Sequence, residues 1–130
     1  MHSTVLVAIE ILLPSDLVSI FLIAIGLLII GMWTALLLGK KVDDLETNRL
    51  GMIYHIIAEF LTGLLLVTAG VSSILDARWS LEVSLVALGM LIYTIMNSAG
   101  YYAQKGEKAM VFMFAFLGVL TIIAIVSLIV

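Results

Sequence analysis

His55 and Glu59 stand four residues apart inside the largely apolar run GMIYHIIAEFLTGLLLVTAG. Side chains at this spacing meet on one face of a helix. A carboxylate placed within the hydrocarbon of a bilayer costs about 2.5–3.5 kcal/mol. That cost calls for a partner, for protonation, or for a water-filled pocket. An imidazole beside a carboxyl can share one proton with it, which is the raw material of a relay. The same pair can equally serve as a hydrogen bond that only locks helices together.

Other chemistries find less support. Acid–base catalysis would need a substrate and a nucleophile near the pair, and no nucleophile set stands beside it. The residues therefore favour a non-enzymatic protein over an intramembrane enzyme. An ordinary metal site takes three or four protein ligands, and Tyr93 and Asn97 are poor substitutes for the missing ones. No metal and no cofactor is expected. The chain has no cysteine, which excludes disulfides and thiolate chemistry. No Gly-rich phosphate loop, Ser–His–Asp arrangement or HExxH motif is present.

The elements that carry these residues follow from composition. Of 130 residues, 64% are hydrophobic and only 12% are charged, and the mean hydropathy is +1.30. A water-soluble domain normally carries about twice that charge. A net charge of −3 offers no basic surface, so nucleic acid is not expected as a partner. The natural solvent is a lipid bilayer.

A helix needs roughly 20 residues to cross the hydrocarbon. Four stretches are long enough: 17–38, 51–75, 81–102 and 109–130. The expected fold is an all-α integral membrane protein, a single domain over 1–130. Its short connections predict an up-down-up-down bundle of four transmembrane helices. The first segment, 1–13, is too short to span and is expected either to lie on the outer surface as an interfacial helix or to extend the first helix across a kink at Pro14. Its start has no basic residue, so a cleaved signal peptide is not expected.

Lys and Arg set the orientation. The loops 39–50 and 103–108 hold Lys40, Lys41, Arg49, Lys105 and Lys108, against Arg78 alone on the other side. Those two loops are expected in the cytoplasm and both termini outside, most simply at the cell membrane.

The faces of the helices predict where polar groups meet. In the second run, His55, Ala58, Glu59, Thr62, Gly63, Ala69, Gly70 and Ser73 share an arc of roughly 140°. In the third, Glu82, Gly89, Tyr93, Asn97, Gly100 and Gln104 share one face, while Ser84, Leu88, Leu91 and Ile95 lie behind it. In the first, Ser19, Gly26 and Trp33 recur at heptad spacing. The fourth shows no division and is read as the most lipid-exposed helix, or as one facing a partner. Gly26, Gly63, Gly70 and Gly89 are read as packing contacts, since small residues let helices approach in lipid. Gly100 could mark a local break.

Depth brings these faces to one level. Glu59 lies about 12 Å from the cytoplasmic face, and Asn97 and Tyr93 lie at about 8 and 14 Å. The sequence thus predicts a polar pocket near the cytoplasmic side, lined by His55, Glu59, Tyr93, Asn97, Trp33 and Tyr101. Its expected role is to bind or transport a small polar or amphipathic ligand, or protons, with a homo-oligomer or another membrane protein as partner. The alternative is a structural or accessory subunit of a membrane complex.

Overall fold

A computed structural model describes residues 15–130. The segment 1–13, expected at the outer surface, lies outside the described residues. Five helices follow in order: α1 (Ser15–Leu38), α2 (Asp44–Thr47), α3 (Arg49–Ile74), α4 (Ser80–Gln104) and α5 (Lys108–Ile129). No strand occurs among the described residues. The helices α1, α3, α4 and α5 are long and apolar enough to cross a membrane. The short α2 sits in the charged first loop, where residue pattern alone predicts no helix.

The three turns that join the long helices are built alike. After α1, the N–H of Lys41 bonds to the carbonyl of Leu36 and that of Lys40 to Leu37. After α3, Ala77 bonds to Ser72 and Asp76 to Ser73. After α4, Glu107 bonds to Tyr102 and Gly106 to Ala103. Each is a Schellman closure, which satisfies the last carbonyls and needs one left-handed residue. Lys40, Asp76 and Gly106 take that conformation, with φ of 53°, 54° and 72°. Gly106 adopts it without steric cost. The break expected at Gly100 does not occur, because α4 continues to Gln104.

Extensive helix contacts join α1 to α3, α3 to α4, and α4 to α5. Contacts within the pairs give their direction. Ser19 meets Ser73 and Trp33 meets Glu59, so α1 and α3 run antiparallel. Tyr102 stacks on Phe114, and a Cβ on Gly118 would touch Ile95, so α4 and α5 do too. The α5 helix is the least buried of the four long helices.

The α1/α3 seam is the tightest contact. A Cβ placed on Gly26 would stand 2.7 Å from the carbonyl oxygen of Gly63, and one on Gly70 would stand 2.7 Å from that of Ser19. Only glycine allows backbones this close. The core comprises Val18, Leu22, Ile29 and Trp33 of α1 with Ile56, Leu66 and Ala69 of α3, and continues through Ala87, Leu88, Leu91 and Ile95 of α4 to Ala124 of α5.

Candidate functional site: a buried carboxyl between two helices

Glu59 follows from its position on α3. It shares a face with Thr62, Gly63, Leu66, Ala69 and Gly70, all buried. The glycines draw α1 onto that face, so the carboxyl is carried into the seam. Only 4% of Glu59 remains exposed. Trp33, one heptad beyond Gly26 on α1, reaches the same level. Its indole Nε1–H donates to Glu59 Oε2 at 3.1 Å. The other oxygen, Oε1, is buried and has no hydrogen-bond partner among the described residues.

That oxygen is the chemical feature of the seam. Leaving a buried polar atom unpaired costs about 1–3 kcal/mol, and more when it is charged. A proton on the carboxyl would remove the charge. Equally, a donor from outside the chain would pair the oxygen.

His55 is half-buried and does not bond to Glu59. It packs edge-on against Trp33, with ring centroids 5.6 Å apart and planes inclined by 73°. The expected direct His–Glu pair is therefore a three-membered cluster with the indole between. The reason is reach across the seam. Trp33 approaches from the facing helix, where its N–H points at the carboxyl, while His55 leans toward the ring.

Tyr93, Asn97 and Tyr101 do not join this cluster. Tyr93 is 69% exposed, and Asn97 and Tyr101 are exposed as well. The α4 helix buries its opposite face: Ser84, Ala87, Leu88, Leu91, Thr94 and Ile95. Gly89, expected as a packing contact, is also outward, and a Cβ added there would meet nothing within 4 Å. The physical cause lies in how each polar group is satisfied. Apart from Ser19, which bonds across the seam to Ser73, several buried hydroxyls bond to their own helix: Thr62 to the Ala58 carbonyl, Ser72 to Ala69, Thr94 to Leu91, and Thr121 to Leu117. Such groups enter a seam without a partner. The amide of Asn97 has two donors and an acceptor, and an apolar neighbour cannot serve them.

No group of three His, Asp or Glu side chains able to hold a metal converges among the described residues.

A model of a domain of unknown function, DUF8058, matches residues 14–130. The chain belongs to the DUF8058 family. No curated protein and no solved structure matches it. The seam that holds Glu59, Trp33 and His55 lies inside the DUF8058 region, as do all four long helices.

A second polar cluster ties the first loop of this DUF8058 chain to the end of α4. The Tyr101 hydroxyl donates to Asp44 Oδ2 at 3.1 Å. The Lys105 ammonium lies 4.4 Å above the Tyr101 ring, a cation–π contact. Tyr101 also meets Tyr102 edge-on at 5.2 Å. Contact with the Tyr101 side chain raises the pKa of Lys105 above its ordinary 10.5; burial acts the other way, and the charges of Asp44 and Glu107 add to the rise. Tyr101 thus acts as a strap between loops, away from the carboxyl. Sequence reasoning missed the strap because Asp44 and Tyr101 are 57 residues apart and neither belongs to a motif.

Proposed function

We propose that this protein crosses the membrane four times, up-down-up-down, and that Glu59 is a proton-binding site in its cytoplasmic half. The carrying observation is the buried Oε1 with no partner among the described residues, beside an Oε2 held by Trp33. A carboxyl fixed at one oxygen and unsatisfied at the other is arranged to accept a proton or a single small donor. The larger ligand pocket expected with Tyr93, Asn97 and Tyr101 is not supported within one chain, so protons are preferred over an amphipathic ligand. His55, against the Trp33 ring, stands toward the start of α3 and is suited to hand the proton to the membrane face.

The orientation rests on the charge bias and on the Tyr101–Asp44 bond. That bond supports loops 39–50 and 103–108 lying on the same side, taken as cytoplasmic, with both termini outside. The chain has no cysteine, so single cysteines placed at Thr47, Ala77 or Gln104 can be labelled by an impermeant reagent without background. Cysteines at Thr47 and Gln104 should be labelled only from the cytoplasm, and one at Ala77 only from outside.

The deciding experiment compares wild type with Glu59→Gln in proteoliposomes loaded with a pH-sensitive dye. Gln keeps an acceptor for Trp33 but cannot exchange a proton. Proton movement should be lost while folding persists. Equal proton movement in both would leave only a structural role for the seam.

A second reading has its own support. In a bilayer the outward face of α4 would present Asn97 and Tyr93 to lipid. Polar side chains in membrane helices normally face another helix. That favours a partner on this face, either a second copy or another subunit of a membrane complex. Purification in mild detergent distinguishes these: a stable homo-oligomer or a stoichiometric second protein should be recovered, and a monomer would remove the reading.

A further inference from the structure

Away from Glu59, a hollow of about 430 Å³ opens where the end of α1, the short α2 and the start of α3 meet. Its walls include Leu37, Ile53, Ile56 and Ile57, and at its rim stand Glu46 and Arg49. Glu46 and Arg49 are both exposed. An anion and a cation thus border the same hollow, whose apolar wall follows the first turns of α3.

We infer that this hollow binds a phospholipid with a zwitterionic headgroup bearing a primary ammonium. Arg49 receives the phosphate through its guanidinium fork, Glu46 receives the ammonium, and the isoleucines with Leu37 cover the first part of an acyl chain. The charge pattern selects among lipids. An anionic headgroup without an ammonium would satisfy Arg49 and be repelled by Glu46. A quaternary ammonium carries no N–H to donate to Glu46. The apolar walls select a lipid over a free soluble headgroup. The lipid site rests on the membrane-spanning reading and does not involve Glu59.

The test reconstitutes wild type, Glu46→Gln, Arg49→Gln and the far-end control Arg78→Gln into bilayers of dioleoyl-phosphatidylethanolamine and dioleoyl-phosphatidylglycerol in equal amounts. Lipids retained after mild release are counted by native mass spectrometry. Wild type and Arg78→Gln should retain the ethanolamine lipid about fivefold over the glycerol lipid. Arg49→Gln should lower retention of both by a similar factor. Glu46→Gln should erase the preference while retention continues. Retention at the bulk ratio, or variants that all behave as wild type, overturns the assignment, as does displacement of the lipid by free phosphoethanolamine. A chain that fails to enter the bilayer overturns the membrane reading itself; one that enters and shows no selectivity overturns only the lipid site.

Discussion

The indole N–H of Trp33 on α1 donates to one carboxyl oxygen of Glu59 on α3 at 3.1 Å, and the second oxygen of the same carboxyl meets no hydrogen-bond partner among the described residues. This single bond places a donor from one helix against an acid of another. It therefore holds the two helices in register at the level where the acid is buried.

Trp33→Phe keeps an aromatic ring and removes the donor. Both oxygens of Glu59 are then unsatisfied, and stability should fall by about 1–3 kcal/mol. Glu59→Gln retains an acceptor and should cost less. Equilibrium unfolding in mixed micelles measures both. A Trp33→Phe variant as stable as wild type contradicts the bond. The double variant Trp33→Phe/Glu59→Gln should show coupling, because the two side chains share one interaction.

The glycines separate cleanly by position. Gly26→Ala or Gly70→Ala puts a methyl 2.7 Å from a facing carbonyl oxygen. Parting the seam should cost about 1–3 kcal/mol, as overpacking does. Gly89→Ala meets open space and should raise helix stability by up to about 1 kcal/mol. The same micelle titration applied to all three gives opposite signs if the seam is as described.

The Lys105 contact has a defined pH dependence. Its folded pKa is raised above 10.5, mainly by Tyr101. A raised pKa means that the contribution is fully present below 10.5 and is lost as pH climbs through the raised value. Lys105→Gln should therefore lower the melting temperature slightly and by a constant amount up to about pH 9, with the difference closing only in stronger alkali. A difference that already changes between about pH 6 and 9 points to another group.

Asn97→Leu tests the outward face of α4. If a partner covers this face, the substitution should shift the detergent-solubilised protein toward monomer, with helix content unchanged. Chemical crosslinking and circular dichroism report the two properties separately. An unchanged oligomer would place the contact elsewhere.

Much of this molecule is legible in its residues alone. Four apolar runs of spanning length, the charged turns between them and the small-residue face of α3 all come from residue type and periodicity. These properties are local, since each helix satisfies its own backbone and the chain needs no neighbour to form it. Gly26, Gly63, Gly70 and Glu59 share a legible pattern because glycine and a lone acid are conspicuous in an apolar run. The partner of Glu59 and the buried face of α4 were decided only by tertiary structure. Residue type suggested His55 for the acid, and the facing helix supplied Trp33. Polarity suggested Asn97 and Tyr93 for the interior, yet α4 buries Ser84, Ala87 and Thr94 instead. A helix rotates to the face its neighbours can fit. In a closely packed seam, side chains that are small or bonded to their own backbone fit where an amide does not.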